Sequence, residues 1–204
     1  MLESDTLLTI KNPAEGLYKE KGSKFISLAF PVNTDDEVKE ILLNLRKQYH
    51  DARHHCYAYV IGFTGEVWRA NDDGEPSSTA GKPILGQLIS RNLTNTLVVV
   101  VRYFGGTKLG VSGLIYAYKT AASEALNNTE IITKTINDIY KINFAYPALN
   151  EIMKLVKDED LNIKEQQFDN NCSVVLGIRQ SKVTFILDKI NKIDSAMAEF
   201  INTE

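Results

Sequence analysis

Residues 96–103 read Thr-Leu-Val-Val-Val-Val-Arg-Tyr, and this segment restricts the fold more than any other. Side chains along a strand alternate between its two faces. A run that stays apolar and mostly β-branched at successive positions, as Leu97 to Val101 does, therefore belongs to a strand covered on both faces. Leu97 to Val101 is the longest purely aliphatic run, five residues, far short of the ~20 needed to span a bilayer. Around such a strand, 204 residues fit one large domain or two small ones.

Other elements follow from local pattern. Leu7 to Ile10 and Phe25 to Val32 read as strands, with a turn at Asn12-Pro13 between them. Thr34-Asp35-Asp36-Glu37 is a capping box: the Thr34 hydroxyl accepts a backbone N–H and Glu37 reaches back. Val38, Ile41, Leu42 and Leu45 follow at helical spacing. His54 to Phe63 and Glu66 to Ala70 form a hairpin around Gly62 and Gly65. Pro83 sits in the first turn of a short helix whose buried side is Ile84, Leu85, Leu88 and Ile89. After the central strand a glycine-rich loop, Phe104 to Gly113, leads into a helix from Leu114 to Leu126.

Past Asn127-Asn128 the pattern restarts. Ile136 to Tyr146 reads as a strand, Pro147 opens a helix, and Leu161 to Phe168 and Cys172 to Arg179 are strands about an Asp169-Asn170-Asn171 turn. A helix from Val183 to Ile190 and a strand from Ala196 to Ile201 complete a β-α-β-β-α-β order, the split or ferredoxin-like unit. The reading is an α+β chain with domains at 1–130 and 131–204.

Charge is divided along the chain. The formal total is −3, which excludes a uniformly basic nucleic-acid coat. Between Pro76 and Ser123, however, there is no Asp or Glu, while Lys82, Arg91, Arg102, Lys108 and Lys119 stand together. Such a stretch attracts phosphate or another acidic partner, and it also follows in part from a core that excludes carboxylates. In the loop Phe104-Gly105-Gly106-Thr107-Lys108, glycines allow close approach to a ligand and a helix start follows to meet an anion. The alternative is a tight turn with no ligand. Neither a Walker loop nor GxGxxG is present.

His54 and His55 are adjacent on a strand and point to opposite faces, so they cannot share a metal. Asp72, Asp73 and Glu75 form a possible acidic site for Mg²⁺, or solvated turn residues. A Ser–His–Asp set can be assembled from Ser77 or Ser78, His54 or His55, and Asp72, but no nucleophile elbow supports it. Cys56 and Cys172 fit neither a disulfide framework nor a zinc site, and no cofactor is expected. Met1-Leu2-Glu3-Ser4-Asp5 lacks the positive start and apolar stretch of a secretory signal. The expected location is the cytoplasm, away from membrane.

Three blocks stand out together: Ala52-Arg53-His54-His55-Cys56-Tyr57-Ala58-Tyr59; Asn71-Asp72-Asp73-Gly74-Glu75-Pro76 through Thr79-Ala80-Gly81-Lys82-Pro83-Ile84-Leu85; and Val100-Val101-Arg102-Tyr103-Phe104-Gly105-Gly106-Thr107-Lys108-Leu109-Gly110. Over residues 16–126 they resemble the Impact family, in its bacterial YigZ/YvyE-like branch. The resemblance implies a ribosomal-protein-type first domain with a left-handed β-α-β unit, similar to the fourth domain of the translocase EF-G. It implies a ferredoxin-like second domain similar to the fifth. Small-molecule kinases of the galactokinase type share the first fold, so fold alone does not separate RNA binding from phosphoryl chemistry. Eukaryotic relatives regulate translation through an extra N-terminal protein-binding domain, which is not expected ahead of residue 16 here. Bacterial members are often labelled proline dipeptidases, yet nothing here resembles the metal-binding residues of those enzymes. Two positions depart from the family pattern: Ser78 stands where Gly is usual, and Tyr116 where Arg is usual.

The leading expectation is a cytoplasmic, non-catalytic protein that binds RNA or the ribosome and modulates translation. Arg53, His54, His55, Lys82, Arg102 and Lys108, with the Gly105-Gly106-Thr107 backbone, would make the anionic contact. An enzyme that binds a phosphorylated small molecule or nucleotide at the Gly-Gly loop is the first alternative. A protein-interaction module with an acidic partner is the second.

Overall fold

A computed structural model describes residues 5–169 and 172–204. It is a mixed α/β structure in two compact units, residues 7–134 and residues 135–204 together with Asp5 and Thr6; each strand is assigned to the unit that holds most of it, although the end residues Thr6 and Thr135 fall in the second. Among the described residues no helix is long and apolar enough to cross a membrane.

The larger unit contains strands Thr6–Ile10 (β1), Ala14–Glu20 (β2) and Ser23–Pro31 (β3), helix Asp35–Gln48 (α1), and strands His54–Ile61 (β4) and Val67–Asn71 (β5). Helix Gly81–Ser90 (α2), strand Thr96–Tyr103 (β6), helix Gly110–Asn127 (α3) and strand Ile131–Thr135 (β7) follow. Five strands make one sheet in the order β2-β3-β6-β4-β5, and β1 pairs with β7. All four contacts of the five-stranded sheet are antiparallel. β6 is the middle strand, and Leu97 to Val101 are fully buried. Its odd positions, Leu97, Val99 and Val101, pack with Val38 and Leu45 of α1. Its even positions, Val98 and Val100, pack with Ile84 and Leu88 of α2 and Ala117, Tyr118 and Ala121 of α3. The unalternating sequence of β6 thus corresponds to two apolar layers, one on each side.

The capping box forms with one change of partner. Thr34 Oγ1 accepts from Glu37 N at 3.2 Å, and Glu37 Oε2 accepts from Asn33 N, one residue earlier than the usual reach. Four elements differ from the sequence reading. β2 and β7 carry no strong strand signal, because neither has a fully buried residue. α3 begins at Gly110, four residues before Leu114, although two glycines in its first turn disfavour helix. Ile89 is 60% exposed, not buried: the inner side of α2 is Ile84, Leu85 and Leu88, and Ile89 lies beyond that stripe.

The second unit contains strand Asn137–Phe144 (β8), helix Leu149–Asp158 (α4), strands Asn162–Phe168 (β9) and Cys172–Arg179 (β10), helix Val183–Ile190 (α5) and strand Met197–Thr203 (β11). Its sheet runs β11-β8-β10-β9, antiparallel throughout. Ile142, Val174, Leu176 and Ile178 from the sheet pack against Ile152 and Val156 of α4 and Ile186 and Ile190 of α5. Asn170 and Asn171 of the expected turn lie outside the described residues.

Candidate functional site

At one end of the five-stranded sheet a row of side chains crosses three strands. Phe25 of β3 and His54 of β4 each lie directly opposite Arg102 of β6. Period two puts Arg102 on the face of Val98 and Val100, so a charged group ends an apolar stripe beneath α3. Arg102 is only 7% exposed. Its guanidinium lies 5.4 Å from the Phe25 ring centroid and 5.6 Å from that of Phe104. Such cation–π contacts hold a charge that water has left.

A buried network secures this arginine. Arg102 Nη1 donates to Glu75 Oε1 at 2.5 Å, and the Tyr118 hydroxyl donates to the same oxygen at 2.8 Å. The Cys56 thiol donates to the Asp72 carbonyl at 3.0 Å and lies 3.3 Å from the Tyr118 hydroxyl. Burial pushes both the Cys56 thiol and the Tyr118 hydroxyl up, so neither is available as an anionic nucleophile near neutral pH. Removing one partner of a buried ion pair costs about 3–5 kcal/mol, so Glu75 and Arg102 are structural for each other. Arg102 Nε is buried with no hydrogen-bond partner.

Beside this row is a cleft of about 490 Å³. Arg53, His54, Glu75, Arg102 and Lys108 give its polar lining, Pro76, Phe104, Leu109 and Leu114 its apolar wall, and Gly110 and Val111 bring in the start of α3. Among the described residues neither Arg53 nor Lys108 makes an ion pair. α3 has no side-chain cap and no acid in its first turn, so its first N–H groups retain the partial positive charge of a helix N-terminus. Gly110 has φ +72, and an added Cβ would meet nothing within 4 Å.

His54 has a defined orientation. Its Nδ1 lies 2.8 Å from the Asp73 carbonyl oxygen. A carbonyl only accepts, so Nδ1 carries the hydrogen and Nε2 of the neutral ring is an acceptor. The turn that supplies this carbonyl has Asp73 at φ +40 and Gly74 at φ +86.

The expected contact residues separate. Arg53, His54, Arg102 and Lys108 come together. His55 does not: it is 3% exposed, and β4 directs it to the other face, with Tyr57 and Tyr59 beneath α1. Neither of its ring nitrogens makes a hydrogen bond of normal geometry, and Nδ1 lies 3.9 Å from Asp73 Oδ2. Burial, then the Arg46 charge, hold it below its usual value, against the pull of Asp73. Lys82 is exposed in the first turn of α2 and does not line the cleft. Gly105 serves the fold, because a Cβ there would lie 1.9 Å from the Gly22 carbonyl carbon. Gly106, at φ +88, and Thr107 are exposed in the loop before Lys108.

The three acids do not form one site. Asp72 accepts at Oδ1 from Ala80 N and Gly81 N, and at Oδ2 from Ser78 N. Burial opposes its charge, but these backbone donors prevail and its carboxyl is held below the usual range. That occupation also removes it from any Ser–His–Asp set, since His54 is oriented by Asp73's carbonyl instead. Asp73 takes Arg46 at 2.7 Å and His55 N at 2.6 Å, and despite its burial these hold it low. Glu75 is committed to Arg102 and Tyr118. Among the described residues no group of three His, Cys, Asp or Glu could hold a metal ion.

The sequence reading missed the wall of Phe104, Leu109 and Leu114 and the roles of Glu75 and Tyr118. An aromatic residue directly before the glycines is the one local signal for that wall. Arg91 is used elsewhere: it donates to Gln87 Oε1, Ser123 Oγ and Asn127 Oδ1, and so ties α2 to α3.

The chain is similar to known proteins over most of its length. Residues 21–126 match the Impact N-terminal domain. The chain is 39% identical to the IMPACT family member YvyE of Bacillus subtilis, over 80% of this chain and 75% of the relative. It is 36% identical to the IMPACT family member YigZ of Escherichia coli, over 80% and 81%. A crystal structure of a hypothetical protein superposes with TM-score 0.73 at 29% identity, over 97% of this chain and 98% of that one.

Proposed function

The chain belongs to the Impact family, and from that premise we propose that it binds RNA phosphates, free or within the ribosome, and so acts on translation in the cytoplasm. The observation that carries this reading is the cleft. Arg53 and Lys108 face it without counter-ions, beside the uncapped start of α3. Phosphate oxygens take charge-assisted hydrogen bonds from such donors. The role is binding rather than catalysis, because Cys56 and Tyr118 are held protonated and the acids are occupied. The ferredoxin-like assignment of residues 135–204 and the likeness of the two units to EF-G domains belong to the same proposal, and the β11-β8-β10-β9 order supports the former.

A second reading has its own support. The cleft volume, about 490 Å³, is within the range of small-molecule sites, which favours a phosphorylated small molecule. A pull-down of the full chain with and without nuclease tests the main reading. RNA should co-purify, disappear on nuclease treatment, and be lost with Arg53→Ala/Lys108→Ala. A complex that survives nuclease would instead favour an acidic protein partner.

A further inference from the structure

We propose that the cleft recognises a single ribonucleoside phosphate unit, with the phosphate at Arg53, Lys108 and the first N–H groups of α3, a ribose hydroxyl on Nε2 of His54, and the base against the Phe104 wall. This rests on the reading of the cleft as a phosphate site and adds what is attached to the phosphate.

Three observations carry it. The first is shape: a concave volume of about 490 Å³ suits one nucleotide and not the side of a duplex, which needs an open groove. The second is the chemistry of the wall. Phe104 is 56% exposed while its ring is braced by the Arg102 guanidinium. Every base has a π-face, and an exposed aromatic ring beside cations is what such a face stacks on. Leu109 and Leu114 extend that apolar side.

The third is His54. Arg53, Lys108, Arg102 and the α3 N–H groups are donors. In the neutral ring Nε2 of His54 is an acceptor among them, because the Asp73 carbonyl holds the hydrogen on Nδ1. An inorganic phosphate dianion brings no proton for this acceptor. A ribose does, and its 2′-hydroxyl distinguishes RNA from DNA. Cys56 and Tyr118 lie beneath with their protons retained, so the floor of the site stays neutral around the Arg102–Glu75 pair.

The ligand can be a free nucleotide or the phosphorylated end of an RNA, and the experiment separates them. Binding of the full chain is measured by fluorescence anisotropy with a short single-stranded RNA carrying a 5′-phosphate, with the same RNA carrying a 5′-hydroxyl, and with the 5′-phosphorylated DNA equivalent. The four nucleoside monophosphates are the competitors. We expect the phosphorylated RNA to bind about tenfold tighter than either control, one strong hydrogen bond or charge contact in each case. A monophosphate that competes as well as the RNA identifies a free nucleotide, one that competes only weakly identifies the RNA end, and one that does not compete at all overturns a site for a single nucleotide unit. His54→Phe should abolish the RNA-over-DNA preference and keep the phosphate preference, and His54→Gln, which restores an acceptor, should recover part of the former. RNA bound equally well with and without the phosphate, and no better than DNA, overturns this proposal while leaving phosphate binding intact if Arg53→Ala/Lys108→Ala still weakens it. No binding of any of these probes overturns both. The wild-type comparison of RNA with DNA needs no variant to fold.

Discussion

His54 and His55 are one bond apart in sequence and serve different ends. That they face opposite ways follows from the period of a strand, and the sequence makes it plain. Which of them meets solvent is not legible, because β4 is covered on both faces and either side could have held the cleft. The pairing of Arg102 with Glu75, 27 residues apart, is equally hidden, since only the folded chain brings them to one place. His55 has a pH consequence. Its ring is neutral in the native state and held below the ordinary 6.5 by burial. Below pH 6.5 the unfolded chain takes up a proton that the native one refuses, so stability falls as the pH falls toward the lowered native value. His55→Phe should flatten this dependence in denaturant melts between pH 7 and 5. It should also recover about 1 kcal/mol at pH 7, because a buried unsatisfied donor costs ~1–3 kcal/mol. Ligand binding should be unchanged, as the ring is on the face away from the cleft.

Helix starts show how far local sequence carries. The cap of α1 is legible because donor and acceptor are neighbours, Thr34 and Glu37. α2 starts at Gly81 behind Ala80, which offers no side-chain cap. Asp72 supplies the cap from the far side of the turn, and such a long reach has no sequence signature. The same turn places Ser78 at φ +65, a left-handed conformation in which Gly is unstrained. β2 is obscured for a related reason. Gly16 weakens its strand pattern, yet a Cβ there would lie 2.5 Å from Ala125 N of α3. Asp72→Ala should cost about 2 kcal/mol, between the values for a lost cap and for lost charge-assisted bonds, and Asp72→Asn should cost less because one acceptor remains. Urea midpoints with unchanged slope check this. Since the native carboxyl lies below 3.8, its contribution is complete above about pH 3.8 and is lost as pH falls through the lowered native value. The alanine variant should therefore lose less stability than wild type over that acid range.

Across the molecule, charge is sorted more finely than the linear sequence suggests. The acid-free run from Pro76 to Ser123 is real, but its five bases do not sum into one face. Glu75, one residue before the run, neutralises Arg102. Arg91 ties two helices together. Lys82 and Lys119 are exposed outside the cleft. Lys108 lines it, and Arg53 joins from outside the run, where no composition window would have found it. A single-stranded RNA that engages this cleft therefore displaces counter-ions at about two uncompensated cations. With about 0.7 per neutralised phosphate charge, and a terminal phosphate that carries close to two such charges, log K should fall with log salt at a slope of about −1.4 for wild type and about −0.7 for Lys108→Ala. Lys82→Ala and Lys119→Ala should leave the slope unchanged. A slope several times steeper, reduced by those two substitutions, would place the RNA along the exposed outer side of α2 and α3. A slope near zero would remove phosphate contact from the binding altogether.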